Sequence, residues 1–244
     1  MTQRVALVTG GSRGIGAAIV KALAGRGCGV AVNCLKNVEL AQKVLMESGG
    51  DGAVFQADAR DHAQVAAMVK AVEQKLGPVD VAVHNANISF PMGPFHLMKW
   101  EEVQAKLLGE LGAFHALCAA TVPGMVLRKW GRIVAVSSSL SRFAGEAFGA
   151  HAAAKSALDG ACRVLSRELG PSGITANVVA PGLIETDATA RQPAEMKQAI
   201  ARVTPLKRIG QPDDIGGVVA FLCTDEARWI TGQYLPLNGG IDTV

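Results

Sequence analysis

Tyrosine occurs once in these 244 residues, and all aromatic residues together make up 5%. Charge of one sign is scarce as well: 24 Lys and Arg face 21 Asp and Glu, a formal net charge of +3. With no long basic run, that excess gives no reason to expect binding to nucleic acid or a membrane, although it does not oppose an acidic protein partner. Five cysteines (28, 34, 118, 162 and 223) lie far apart, with no CxxC pair and no histidines at metal-ligand spacing. Metal-finger and dithiol chemistry are thereby excluded, and buried thiols in a reducing compartment are expected. The opening MTQRVALVTGG runs directly into a strand and a glycine turn, and no later stretch reads as an uninterrupted membrane span, so a cytoplasmic location is expected. Repeats, linkers and low-complexity segments are missing too, which leads to the expectation of one domain over residues 1–244.

What is present is apolar and small. Hydrophobic residues make up 49% and glycine numbers 28, a mixture that suits helices packed closely on a sheet. Short Val/Ile/Ala runs alternate with longer amphipathic segments, the βαβ pattern of a parallel sheet buried on both faces. Seven strands are predicted, at Arg4–Thr9, Gly29–Asn33, Ala53–Ala57, Val79–His84, Arg132–Ser137, Thr175–Val179 and Gln233–Leu237. The long helices are expected at Asp61–Leu76, Trp100–Leu127 and Ala150–Leu169, with Pro123 kinking or ending the second. The irregular stretch Leu183–Gln192 reads as a lid over a site. The fold class is therefore α/β, a Rossmann-type doubly wound sheet.

The first strand leads into GGSRGIG and then a helical run, placing Gly10, Gly14 and Gly16 where the chain must turn sharply. Amides exposed at a helix start can cradle a pyrophosphate, with Thr9, Ser12 and Ile15 completing the loop. The spacing is G-x3-G-x-G, so by itself the turn also fits an ordinary strand-to-helix corner. At the end of the second strand, where recognition of a free ribose hydroxyl uses an acid, the sequence has Asn33. Arg13 and Lys36 are placed to reach a 2′-phosphate, which favours NADP(H), unless both are simply solvated. Asp58 is placed to accept an adenine amino proton, with Ala59 beside it. Its alternative is a helix cap, a part that Asp61 fits better.

Taken together, TGGSRGIG, HNAN after the fourth strand, SSS after the fifth, HAAAK thirteen residues later and VVAPGLIETD after the sixth resemble the short-chain dehydrogenase/reductases over practically the whole chain. Within that family, GRIVAVSSS, GQPDDIGGVVAFL and ITGQYLPLNGG are most similar to 3-oxoacyl-[acyl-carrier-protein] reductases. The resemblance implies a Ser, a Tyr and a Lys, with an Asn upstream. Ser138 matches the serine that meets the substrate carbonyl, whereas Ser137 and Ser139 fit backbone-satisfying roles. Lys155 matches the lysine that holds the nicotinamide ribose. His151 stands in the tyrosine position, four residues before Lys155 and so on the same helix face. Tyr234, in the last strand, is expected to lie away from the nicotinamide. Gly109 and Glu110 fall near the position of the missing upstream Asn.

At the fourth-strand turn the family's N-A-G reads Asn85, Ala86, Asn87. Asn tolerates positive φ, so the turn can persist. The Asn87 amide either substitutes for the missing Asn or is purely structural. Pro181, Gly182, Ile184 and Thr186 match the loop that closes over the nicotinamide carboxamide.

The resemblance implies NADPH-dependent reduction of a β-keto acyl thioester on a carrier protein, in fatty-acid-like or polyketide-like biosynthesis, by a homotetramer built through the Trp100–Leu127 and Ala150–Leu169 helices and the last strand. Arg128 and Lys129 resemble a docking point for an acidic carrier but equally complement the helix dipole. Two alternatives stay open: an inert NADP-binding subunit of a mixed oligomer, and oxidation of a small alcohol. For ketone reduction by histidine, the rate is expected to climb as pH drops. The substrate is expected to meet loops Phe90–Met98, Phe143–Phe148 and Leu183–Gln192.

Overall fold

The computed structural model describes residues 3–143 and 145–242. Ala144, inside the expected substrate loop, lies outside them, as do Met1, Thr2, Thr243 and Val244. Seven parallel strands form one sheet in the order β3-β2-β1-β4-β5-β6-β7. They are β1 (Val5–Val8), β2 (Gly29–Cys34), β3 (Gly52–Gln56), β4 (Val79–His84), β5 (Gly131–Val136), β6 (Ile174–Pro181) and β7 (Tyr234–Leu237). The helices are α1 (Gly14–Ala24), α2 (Val38–Ser48), α3 (His62–Leu76), α4 (Trp100–Arg128), α5 (Gly149–Leu169), α6 (Ala194–Val203) and α7 (Pro212–Leu222).

Alternation along each strand sorts the core into two layers. From β1, Val5 and Leu7 face Val65, Val69 and Val72 of α3, Phe114 and Leu117 of α4 and Leu158 of α5. Ala6 and Val8 face Ile19 and Leu23 of α1, Val44 of α2 and Ile215 and Val219 of α7. Because β1 lies between β2 and β4, the strand order reverses there, and the crevice beyond the carboxyl ends of β1 and β4 is where such sheets bind ligands.

One expectation about α4 is corrected. Pro123 does not end it, and the helix continues to Arg128 before Lys129 turns left-handed at φ 54°. Proline removes a single helical N–H here, and the helix is held by its contacts with α3, β4 and α5. By length and composition alone α4 is also long and apolar enough to cross a membrane. Part of that apolar surface, including Val103, Phe114, Leu117 and Met125, packs in the protein core, and the helix carries a buried Lys106 and Glu110. At its end, Arg128 donates to the Val79 carbonyl at 2.6 Å and pairs with Asp80 at 3.5 Å, which ties it to the fold. All five cysteines are free, four of them buried and Cys28 half-buried.

Candidate active site

The glycine turn is pinned from both neighbouring strands. Asn33, buried at the end of β2, accepts from the Gly10 N–H through Oδ1 at 3.3 Å, while Nδ2 donates to the Phe55 and Ala57 carbonyls at 3.3 and 3.1 Å. From β4, Asn85 Nδ2 donates to the Thr9 and Gly10 carbonyls, both at 3.0 Å. Thr9 Oγ1 accepts from the Asn85 and Ala86 amides at 3.0 and 3.1 Å. Gly10 takes φ +64°, and a side chain at Gly16 would run into the Gly10 carbonyl and the Asn85 amide. Neither position accepts a larger residue without moving the turn. The turn delivers the chain to α1, whose start has no side-chain cap and no acidic residue in its first turn. Uncapped amides at a helix start favour an anion, so Gly14, Ile15 and Gly16 fit a pyrophosphate, with half-buried Ser12 before them. Thr186, from the loop after β6, lies against Gly14 and roofs the turn. Within that loop Gly182 donates to the Leu237 carbonyl at 3.1 Å beside Pro181, and buried Ile184 bridges to Gly210.

At the outer end of the crevice Arg13 and Lys36 are exposed. Ala59 is buried, while both oxygens of Asp58 bind the Arg60 guanidinium at 2.6 to 3.2 Å, which holds its carboxyl below the usual range. Asp61 caps α3, accepting from the Ala63 and Gln64 amides as the sequence leads one to expect.

On the opposite side, Lys155 Nζ donates to the Val136 carbonyl at 2.8 Å and Ser137 Oγ to the Lys155 carbonyl at 3.4 Å, fastening α5 to the end of β5. Ser139 Oγ donates to the Ala180 carbonyl at 3.2 Å. Ser138 differs from its neighbours: its half-buried Oγ accepts from the Leu140 amide at 3.2 Å, and no bond from its own hydrogen is recorded among the described residues. One turn before Lys155, His151 is 7% exposed and stacks on Phe90 with ring centroids 4.4 Å apart. Its Nδ1 has no protein partner among the described residues. Burial first, then the nearby Lys155 and Lys106 ammonium groups, pushes the ring down to about 3, so at neutral pH it is an uncharged imidazole.

Of two neighbouring residues, Tyr234 and Asn87, the second brings a correction. The Tyr234 hydroxyl donates to the Ser138 carbonyl at 3.3 Å and accepts from Ser141 Oγ at the same distance. Alternation on β7 aims it at the α5 face of the sheet. Asn87 does not need positive φ and is not among the residues with it. It is exposed, and its Oδ1 accepts from Lys106 Nζ at 2.9 Å.

That lysine opens a cluster the sequence reading missed. Glu110 is fully buried, with Lys106 Nζ at 2.5 Å, Lys155 Nζ at 2.6 Å and His84 Nε2 at 3.4 Å. The positive neighbours keep its carboxyl far below the carboxylate range although burial opposes them. Lys106 also donates to the Ile88 carbonyl at 2.8 Å and sits 5.1 Å from the Phe90 ring. The available signal was a Lys and a Glu four residues apart in an otherwise apolar helix, where such residues are rarely buried unless paired.

Two neutral buried histidines have an acid cost. Burial also lowers His84. An imidazole whose folded value lies below its unfolded one contributes stability above the unfolded value that is lost as pH falls toward the folded one. For His151 the window runs from 6.5 down to about 3. Denaturant unfolding at pH 7 and pH 5 should show a loss of about 2 kcal/mol from His151, with a further loss from His84 in the same direction. His151→Phe should remove its share, and an unchanged pH dependence in that variant would contradict the neutral ring.

The sequence family described as enoyl-(acyl carrier protein) reductase matches residues 10–242. Among curated relatives, nodulation protein G of Azospirillum brasilense is 38% identical over 247 residues, covering 99% of each chain. The 3-oxoacyl-[acyl-carrier-protein] reductase of Pseudomonas aeruginosa is 37% identical over 241 residues, 98% of this chain and 97% of its own. That of Escherichia coli is 35% identical over 238 residues, with the same coverage.

Proposed function

Because this chain belongs to the short-chain dehydrogenase/reductase family of oxidoreductases, we propose that it is an NADPH-dependent ketoreductase acting on a β-keto acyl thioester carried by an acyl carrier protein. Near-full-length relatives named for 3-oxoacyl reduction favour a keto over an enoyl substrate. The observation that carries the reading is the pairing of Ser138, its hydroxyl hydrogen without a partner among the described residues at the end of β5, with the α5 face bearing His151 and Lys155.

When bound, the nicotinamide supplies the hydride. Ser138 Oγ–H donates to the substrate carbonyl, and the neutral His151 ring offers an N–H as the second donor to the developing alkoxide. Lys155 has three donors, of which Glu110 and Val136 take two, leaving one for the nicotinamide ribose. Gly10, Ser12, Gly14, Ile15 and Gly16 hold the pyrophosphate. Asn33 and Asn85 keep that turn in shape, with Ala86 and Asn87 beside it and Asp58 and Ala59 at the adenine. Pro181, Gly182, Ile184 and Thr186 close over the carboxamide. Arg13 and Lys36 take the 2′-phosphate.

Further parts of the proposal are a homotetramer and a cytoplasmic setting. Exposed Trp100 and Leu108 on α4, Val164 on α5 and Trp229 ahead of β7, which is 97% exposed, support assembly through those elements. Five free thiols suit the setting.

A second reading, an inert NADP-holding subunit, is favoured by the Phe90 stack on His151. Purified protein with NADPH and acetoacetyl-CoA separates the two. Binding with loss of the reduced-nicotinamide absorbance supports reduction, whereas binding without turnover supports the subunit. Arg13→Ala with Lys36→Ala should lower NADPH affinity about 10- to 100-fold and leave NADH affinity within about threefold. Equal losses for both nucleotides would remove the case for NADP(H).

A further inference from the structure

A buried carboxylate with two lysines and a histidine around it is costly to build, and replacing such a group by apolar residues is often neutral or stabilising. Its presence beside the crevice therefore asks for a purpose other than stability. Glu110 stands where three pieces of the site meet. Through Oε1 it accepts from Lys155 Nζ at 2.6 Å, and α5 carries His151 one turn before that lysine. Through Oε2 it accepts from Lys106 Nζ at 2.5 Å and from the Ile88 amide at 3.5 Å. Lys106 in turn holds Asn87 Oδ1 and the Ile88 carbonyl, and its Nζ sits over Phe90, the ring stacked on His151. His84 from β4 completes the shell at 3.4 Å.

Resting on the reading that Lys155 meets the nicotinamide ribose, we propose that Glu110 is a positioning residue for this site. It fixes the direction of the Lys155 ammonium and, through Lys106, the 87–90 loop that walls His151. An ammonium on a four-carbon stem has wide rotamer freedom. With two donors fixed, by Glu110 on α4 and Val136 on β5, the third has one direction left, away from both. Glu110 touches neither substrate nor cofactor in this account and acts only through the two lysines.

The test uses Lys106→Met as its reference, because that variant keeps the Glu110–Lys155 pair. Adding Glu110→Leu to it leaves Lys155 without its carboxylate, and adding Glu110→Gln instead leaves an acceptor. NADPH affinity is measured by nucleotide fluorescence on protein whose cooperative unfolding has been verified. The Leu variant should bind NADPH at least about tenfold more weakly than the reference, and Gln should restore about a third or more of that loss.

Affinity equal to the reference in a folded Leu variant, or no recovery with Gln, would overturn the proposal, leaving Glu110 purely structural. A parent protein that binds NADPH without reducing the keto thioester removes the ketoreductase reading yet leaves this comparison decisive. A parent that does not bind NADPH overturns both.

Discussion

His151→Tyr is expected to raise the rate of NADPH-dependent keto thioester reduction by about a hundredfold at pH 7, a typical gain from a positioned general acid. The present ring is uncharged at that pH, and a neutral imidazole releases its remaining proton far less readily than a phenol, whose ordinary value is about 10. Position 151 lies one helical turn before Lys155, so a phenol there sits on the helix face that the Val136 bond holds against the end of β5. His151→Phe, which keeps the stack with Phe90 but has no donor, should reduce turnover by about tenfold or more. Retained turnover in the Phe variant would exclude the ring as proton source. The pH profile adds an independent reading. If imidazolium is the effective donor, the rate climbs about a decade per pH unit on acidification, with no plateau in the region of an ordinary histidine, because the ring titrates near 3. A plateau near 6.5 would contradict the burial of the ring.

The largest stability effect is expected at Glu110. Glu110→Leu strands two buried ammonium groups, Lys106 and Lys155, and should cost about 3–5 kcal/mol in urea unfolding at pH 7. Adding Lys106→Met removes one of the stranded charges and should recover about half of that loss. The Glu110 contribution is fully present above the usual carboxylate value of 4.5 and fades only as pH falls below it, because the folded carboxyl titrates far lower. A loss under about 1 kcal/mol in the single variant would mean that water reaches the cluster.

Much of this architecture could be read from residue order because parallel strands buried on both faces appear as unbroken Val/Ile/Ala runs. Strands such as Val79–His84 match to the residue, and the others shift by at most a few positions at their ends. The glycine turn, Ser138 and Lys155 were legible for a different reason: each sits at a strand end or a fixed helical offset from another motif. The Glu110 cluster was not, because finding it requires knowing which side of α4 meets β4 and α5, a matter of packing and not of spacing. The bonds of Tyr234 were not legible on a similar ground. On an edge strand the direction of a side chain flips with a shift of one residue, and only the pairing of Val178 with Tyr234 fixes it. Pro123 does not end α4 because local preference yields to the contacts that α4 makes with α3, β4 and α5.

The bonds made by Asn33 bear on redesign. Converting a nucleotide site toward the unphosphorylated coenzyme is ordinarily attempted by planting an acid at the end of the second strand. Here that side chain serves as a bracket between the first turn and the third strand, so an aspartate or glutamate at 33 would forfeit the two Nδ2 donations and place a charge where none can be solvated. Coenzyme preference in this scaffold is better retuned a few residues downstream, at the exposed Leu35 and Lys36, where a new carboxylate leaves the bracket intact.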